Sequence, residues 1–297
     1  MTVTKNARHR ALATMTLAAT SFGLMAFTTK LACARLPAPE VALIRMAVGL
    51  LPCIAIPRFR RASLDFHRFD LILYRGVFGG IAVLLYFLAI QHTTAGIATL
   101  LQYTSPVWAG LFSVLFIGER ASPRVVLPLI IAFTGIVLVV RADSLGFGVW
   151  EIIGLIGGAS SGAAVTAMRA ARREENSWSV YASFCFFGML VNAPFVVRSW
   201  LTPVSQEWTW LAATAIFAMA AQLLLTFSLR WVDAMTVGVI SQLAVLISMA
   251  LGAMFLRETI TTMTAVGALL TIGGVVGVTY VTSIGRQASA DEVAPEA

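Results

Sequence analysis

The stretch at residues 96–120, "GIATLLQYTSPVWAGLFSVLFIGER", is apolar enough to lie in a bilayer, yet polar side chains interrupt it. The cluster "QYTS" occupies 102–105, Pro106 follows at once, and the apolar run stops at "GER". A polar side chain buried in lipid is costly, so it faces the protein interior or a water-filled cavity. The stretch therefore indicates a membrane helix with a polar face turned towards the rest of the protein.

The composition of the whole chain agrees with a membrane protein. The 297 residues are 59% hydrophobic and 12% charged, with a mean hydropathy of +0.86. Soluble domains are nearer ~25% charged, and a bilayer core needs ~20 apolar residues per helix. We therefore expect an all-α integral membrane protein with the lipid bilayer as its surroundings. The three cysteines form no CxxC pair and lie in or beside apolar runs, so no metal site is expected.

Apolar runs between charged or Pro/Gly breaks predict ten transmembrane helices. They cover 11–31, 40–57, 70–90, 95–117, 123–141, 149–169, 178–198, 209–229, 234–256 and 261–282. With the N-terminus inside, fourteen of the 21 Lys and Arg residues fall on the cytoplasmic side, five fall outside, and two lie within spans. The polar tails at 1–10 and 285–297 are thus predicted to be cytoplasmic, the second one disordered. The net charge of +7 follows from this topology, and no nucleic-acid partner is expected.

The two halves of the chain align without gaps at an offset of 139 residues. Glu119 then meets Glu258, Gly135 meets Gly274, and the first span meets the sixth. We predict two repeats, 11–141 and 149–282, each with five spans. Because five is odd, the second repeat must cross the membrane in the opposite direction. Such inverted repeats are typical of secondary transporters, whose substrate site lies between the repeats near the bilayer midplane.

The sequence resembles the EamA-type transporters of the drug/metabolite transporter superfamily. The resemblance covers roughly 11–282 and is carried by "YFLAIQHTTAGIATLLQYTSPVWAGLFSVLFIGER" at 86–120 and by "PEVALIR" at 39–45. The second repeat departs from the first, with Val245 in place of proline and "RET" in place of "GER". The resemblance implies ten helices that move small organic solutes without ATP. The chain contains no G-x-x-x-x-G-K-[ST] motif, and no cofactor is expected.

Helical spacing selects the candidate substrate pocket. In the fourth span, Gln102, Tyr103 and Pro106 share a face, and Ser241 and Gln242 lie on the matching face of the ninth span. The alternative is that these polar groups only make interhelical hydrogen bonds, each contributing ~0.6 kcal/mol. Pro106 is expected to kink its helix and to free the carbonyl of residue 102.

Four further side chains complete the candidate set or are weighed against it. Tyr86 and Gln222 lie at similar depth and could complete the pocket. Arg45 could anchor a substrate carboxylate or phosphate, or its long side chain could extend to the interface. Arg75 is expected to extend to the inner surface. The glycines at 154, 158 and 162 and the nearby Ser160 and Ser161 are assigned to close helix packing.

No acidic side chain is placed convincingly at the midplane. Glu119 and Glu258 end their helices, which favours hydrogen bonding at helix ends over proton transfer. A coupling proton therefore stays an option without a named carrier. His9, His67 and His92 all fall in or near predicted loops.

The function predicted from the sequence is secondary active transport of a small organic metabolite by alternating access across a bacterial inner membrane. An amino acid or derivative is favoured as the substrate, and export is preferred on family analogy alone. The alternative is an uptake carrier for a vitamin-like or nucleoside-like compound. A membrane-embedded enzyme would need paired carboxylates, an H-E-x-x-H motif or a Ser/His/Asp set at membrane depth. The sequence contains none of these at that depth, so no enzymatic activity is expected. The assembly is expected to be a monomer or a homodimer.

Overall fold

The computed structural model describes residues 5–64, 66–117, 123–141, 148–171, 174–197, 199–228 and 234–293. Within these residues every regular element is helical. The helices are α1 (Lys5–Ala32), α2 (Ala38–Ala55), α3 (Pro57–Leu64), α4 (Phe69–His92), α5 (Ala95–Gln102), α6 (Ser105–Ile117), α7 (Val126–Arg141), α8 (Val149–Ala171), α9 (Ser177–Val196), α10 (Ser205–Ser228), α11 (Ala234–Ser241), α12 (Leu243–Phe255) and α13 (Thr262–Val293).

In the part of the chain that the structure describes, eight helical segments are long and apolar enough to cross a bilayer. They lie in α1, α2, α4, α8, α9, α10, the α11–α12 pair and α13. The apolar α7 is shorter, and α5 with α6 covers the predicted fourth span as two pieces. The predicted all-α membrane architecture is thereby confirmed. Glu119, Arg120 and Asp233 lie outside the described residues.

Two helix ends and one additional helix differ from the sequence prediction. α1 begins at Lys5, inside the predicted tail, and α13 continues through the predicted disordered tail to Val293. Both extensions are rich in residues that favour helices, and the C-terminal one meets no proline before Pro295. The exposed, basic α3 follows α2 and was not predicted. Hydropathy detects spans but passes over polar helices, which explains these three differences.

Long helices from the two halves of the chain pack against each other. α1 packs on α10, α4 packs on α8 and α9, α2 packs on α9, and α7 packs on α13. A cluster of buried residues from α1, α2, α4, α5, α9 and α10 forms the largest core, with Phe87 and Ile90 fully buried at its centre. A second, smaller cluster joins α5, α7, α12 and α13.

The fourth and ninth predicted spans are broken helices. α5 ends at Gln102 and α6 begins at Ser105, so Pro106 lies in the first turn of α6, where its missing N–H is tolerated. The predicted kink within one continuous helix is therefore wrong. α11 and α12 are likewise separated at Gln242, although Val245 stands where the first half has its proline. A break at this depth does not require proline.

Neighbouring glycines in α13 provide a matched test of the α7–α13 contact. A Cβ at Gly274 would lie 2.6 Å from Cα and 2.7 Å from Cβ of Ala132, whereas one at Gly273 would meet nothing within 4 Å. We expect Gly274→Ala to destabilise the protein by about 1–3 kcal/mol through overpacking. Gly273→Ala should be neutral or stabilise by up to about 1 kcal/mol. Thermal unfolding of both purified variants in detergent checks this, and equal melting temperatures would contradict it.

Candidate functional site

A cavity of about 130 Å³ lies inside the helix bundle. Residues from α1, α2, α4, α6, α8, α9, α10 and α11 line it, together with those at the α5–α6 break. Seven of the eight side chains predicted from the sequence lie on its wall: Arg45, Tyr86, Gln102, Tyr103, Pro106, Gln222 and Ser241. The structure thus brings together residues that are up to 196 positions apart in the chain.

Gln242 is the predicted residue that does not line the cavity. Its side chain is buried, and its amide nitrogen lies 3.4 Å from the carbonyl oxygen of Tyr103. The same nitrogen is 3.4 Å from the carbonyl oxygen of Gly238 in its own half. Gln242 therefore links the two helix breaks through the carbonyl of Tyr103. Tyr103 also packs edge-on against Phe22 of α1.

Two predicted side chains present polar groups to the cavity in different ways. The hydroxyls of Tyr86 and Thr99 lie 2.8 Å apart, and Thr99 donates to the carbonyl of Ala95 at 2.6 Å. The hydrogen bond between Tyr86 and Thr99 fixes the phenol of Tyr86, on α4, against α5. The side-chain oxygen of Gln102, in contrast, is buried and has no hydrogen-bond partner among the described residues. An unpaired buried acceptor costs free energy, so it marks a place for a donor on a ligand or on water.

Arg45 is buried in the bundle and does not extend to the surface. Its guanidinium carbon lies 5.5 Å from the ring centroid of Phe87 and 5.6 Å from that of Phe184. Its Nη1 has no hydrogen-bond partner in the part of the chain that the structure describes. The extension to the interface that the sequence left open is therefore not observed.

Arg75 was predicted to extend to the inner surface, and that prediction is wrong. Its side chain is only 5% exposed and lines the cavity. The guanidinium carbon lies 4.2 Å from the ring centroid of Phe184. Space for the guanidinium comes from Gly79, one turn further along α4, because a Cβ at that position would collide with Nη1 of Arg75. Depth along the helix axis alone could not reveal this inward orientation.

Ser161 and Phe184 also line the cavity and were not singled out as site residues by the sequence. Ser161 lies in the glycine-rich part of α8, where Gly158 closely approaches the carbonyl of Leu101 and Gly162 that of Ser105. These close contacts press α8 against the α5–α6 break and turn Ser161 towards the cavity. Phe184 is one of many apolar residues of α9. No local signal distinguishes it from the others.

At one end of the bundle, two charged side chains form hydrogen bonds with the turn between α4 and α5. The ammonium of Lys30 donates to the carbonyl oxygens of Ile90 at 2.8 Å and Thr93 at 2.5 Å. The Glu258 carboxylate accepts from the backbone N–H of Ala95 at 3.0 Å. Glu258 therefore does bond at a helix end, but the helix is α5 of the other half. Burial raises the pKa of this carboxyl above its ordinary value.

The same end carries two further polar contacts. Arg35 forms an ion pair with Glu207 at 2.5 Å, and the hydrogen bonds to Glu207 raise the pKa of Arg35. The carboxylate of Glu40 accepts from the backbone N–H of Leu201 at 2.9 Å. Lys30 lies one to two turns beyond the cavity residues Phe22 and Met25 of its helix. These contacts therefore link helix ends and loops of both halves at one end of the bundle.

The cavity wall carries basic and neutral polar side chains. Among the described residues that line it, the charged side chains are Arg45 and Arg75, and none is acidic. No group of three or more His, Cys, Asp or Glu side chains within the described ranges could hold a metal ion. What the wall offers is two guanidinium groups, phenols, amides and hydroxyls around apolar surface.

Comparison with known proteins agrees with a transporter. The chain is 28% identical over 258 residues to the pseudopaline exporter CntI of Pseudomonas aeruginosa, covering 86% of this chain and 91% of that protein. It is 25% identical over 193 residues to an uncharacterized transporter of Helicobacter pylori, covering 62% of this chain and 65% of the relative. A solved crystal structure shares the fold, with a TM-score of 0.65 at 21% identity over 92% of this chain and 97% of the other.

The EamA-like transporter family matches this chain twice, over residues 9–141 and again over 148–280. The two matches together span almost all of the described helices. The chain is a membrane transporter that belongs to the EamA-like transporter family.

Proposed function

We propose that this protein is a secondary active transporter that moves a small organic metabolite through the central cavity by alternating access. The observation that carries the proposal is the cavity itself, whose wall is built from both halves of the chain. A carrier of this kind needs a binding site that each side of the membrane can reach in turn. The proposed protomer has ten spans in two inverted repeats, 11–141 and 149–282, in a bacterial inner membrane with both termini cytoplasmic.

Helix packing supports the inverted repeats. At the offset of 139 residues, α1 corresponds to α8, α4 to α10, α2 to α9, and α7 to α13. A two-fold axis in the membrane plane would convert the α1–α10 contact into the α8–α4 contact. It would also bring α2 against α9 and α7 against α13, across the axis. All four contacts are among the principal packing contacts of the bundle.

Equivalent positions also meet at the cavity. Gln242 corresponds to Tyr103 and reaches its carbonyl, while Arg45 corresponds to Phe184 and lies over its ring. Six pairs of equivalent positions line the cavity together: Phe22 with Ser161, Met25 with Ala164, Arg45 with Phe184, Val83 with Gln222, Tyr86 with Leu225, and Gln102 with Ser241. A pseudo-two-fold axis passing through the cavity would produce this pairing. The axis would relate two states of similar energy, one open to each side.

The broken helices support transport by the same reasoning. Both α5–α6 and α11–α12 break at the level of the cavity, where Tyr103 and Gln242 lie. Discontinuous helices expose backbone groups at the binding sites of many transporters. Such breaks are also places where half of a helix can tilt while the other half stays packed.

The direction proposed is export, and the favoured substrate is an amino acid or a derivative. The bacterial relative named as a pseudopaline exporter supports export of a metabolite. Uptake of a vitamin-like or nucleoside-like compound is the alternative that the experiment must distinguish. A coupling proton is retained in the proposal and is tested through the pH gradient.

The proposal is tested by counterflow in proteoliposomes containing the full-length protein. The panel consists of labelled amino acids, amino acid derivatives, nucleosides and vitamins, each with and without a pH gradient. We expect at least one solute to accumulate above the level in protein-free liposomes. Background levels for the whole panel would contradict the transporter proposal. A response to the imposed pH gradient would identify proton coupling.

Adjacent serines in α8 give a matched test of the cavity. Ser161 lies on the cavity wall and Ser160 does not, although both are half-buried. Ser161→Leu should lower the initial transport rate by about tenfold or more, because the larger side chain fills space that the substrate needs. Ser160→Leu should retain most of the rate. Equal loss in both variants would mean that the α8 packing, not the cavity, is limiting.

A further inference from the structure

The cavity wall carries two buried guanidinium groups. Arg45 and Arg75 are 6% and 5% exposed, and no carboxylate of the described residues pairs with either. We propose that the cavity binds an organic acid and that Arg45 and Arg75 together hold its anionic group. This inference rests on the proposed transport function and adds the charge class of the substrate.

The energetic argument is that the described residues place two positive charges in the cavity wall without a carboxylate paired to either. Arginine stays protonated in proteins, and a charge inside the bilayer region is stable only when it is paired or hydrated. The aromatic rings of Phe87 and Phe184 offset a part of this cost through cation–π attraction. They provide no hydrogen-bond acceptors for the guanidinium protons. An anion in the cavity would supply both the opposite charge and the acceptors.

The geometry directs both groups to one place. Both guanidinium groups contact the ring of Phe184, at 5.6 Å for Arg45 and 4.2 Å for Arg75. Each keeps a donor without a partner in the described structure, Nη1 of Arg45 and Nε of Arg75. Planar guanidinium groups bind carboxylates and phosphates through paired hydrogen bonds. The free donors therefore match an acid group that lies next to Phe184.

Gln102 needs a hydrogen-bond donor on the ligand, whereas the two arginines need acceptors. Its side-chain oxygen is a buried acceptor without a partner in the described residues, and it belongs to the same cavity wall. It calls for a hydrogen-bond donor on the substrate, such as an ammonium or a hydroxyl group. We therefore infer an acid that also carries a donor group, held with its anionic end at the two arginines.

The test compares acids with their neutral amides in the same proteoliposomes. The labelled pairs are lactate with lactamide, alanine with alaninamide, and succinate with succinamide, in which the amide replaces the acid group, and phosphoserine against serine distinguishes a phosphate from a carboxylate. The variants are Arg45→Gln and Arg75→Gln. Arg68→Gln is the matched control, because Arg68 lies outside the cavity in exposed ion pairs with Asp70 and Glu174.

We expect the wild-type protein to move the acid of at least one pair at least tenfold faster than its neutral partner. Arg45→Gln and Arg75→Gln should each lose about tenfold or more of that rate, while Arg68→Gln should retain it. Size-exclusion profiles of the purified variants, together with the shift in melting temperature caused by the transported acid, separate loss of binding from loss of folding. The shift should disappear in the two cavity variants alone.

The failures of the two proposals can be told apart. If a solute without a carboxylate or phosphate group is the one that moves, or if the cavity variants transport as well as wild type, the organic-acid inference is overturned and the transporter stands. If no solute of either panel moves, the transport proposal fails, and the organic-acid inference fails too because it rests on transport.

Discussion

Replacing both cavity arginines with methionine, Arg45→Met and Arg75→Met, is expected to raise the melting temperature by about 5 °C or more. An arginine at the centre of a membrane helix costs roughly 2.5–3.5 kcal/mol on insertion scales, which is an upper bound for Arg75 in the second turn of α4. Cation–π contacts with Phe87 and Phe184 return about 0.5–2 kcal/mol each, and the sulfur–aromatic contacts of methionine replace part of that gain. Removing the two unpaired charges should therefore stabilise the bundle while transport is lost.

The measurement is thermal unfolding of the purified protein in detergent, followed by size-exclusion recovery. Arg35→Met is the matched control, because Arg35 pairs with Glu207 at the bundle end and its removal leaves that carboxylate without its partner. The control should lower the melting temperature, in contrast to the cavity variants. If the double cavity variant melts at a lower temperature than wild type, the two arginines stabilise the fold and are not reserved for a ligand.

Glu258→Ala is expected to open the bundle end that Lys30 and Glu258 hold. The substitution leaves the N–H of Ala95 buried without its acceptor, which costs about 1–3 kcal/mol in the closed arrangement. The closed-to-open ratio should fall by about tenfold. Cys33 reports this change, because it follows α1 at the same end and is 4% exposed. Burial raises the pKa of its thiol to about 12, so labelling of the closed form is slow.

The experiment measures maleimide labelling of Cys33 in a background with Cys53→Ser and Cys185→Ser. Labelling should be about tenfold faster in Glu258→Ala than in the parent protein. Glu258→Gln is the control. Its amide oxygen can still accept from Ala95, and it lacks the charge that burial disfavours in the glutamate, whose pKa is raised for that reason. Slow labelling of Cys33 in Glu258→Ala would show that this hydrogen bond does not hold the bundle end closed. Fast labelling in both variants would show that the negative charge of Glu258, not the hydrogen bond, holds it closed.

Residue types and spacing predicted most of the polar side chains that the broken helices present to the cavity, with Gln242 as the exception. Gln102, Tyr103 and Ser241 are polar residues in apolar runs, and all three line the cavity. Because a polar side chain is costly in lipid, such residues face the protein interior. The same reasoning failed for Arg75. A long cationic side chain near a helix end can extend to the interface or turn inward, and the sequence of α4 alone does not distinguish the two. Gly79 and the ring of Phe184, on a different helix, decide the orientation.

Sequence by itself determined the all-α membrane architecture and most of the spans, because the length and hydropathy of a membrane helix are properties of a local segment. It also determined which polar residues must be sheltered from lipid. Tertiary structure alone decided that Glu258 bonds to Ala95, that Gln242 reaches the carbonyl of Tyr103 instead of the cavity, and that two arginines share one ring. Each of these contacts joins helices from different halves of the chain. Their geometry depends on how whole helices pack, which no local pattern contains.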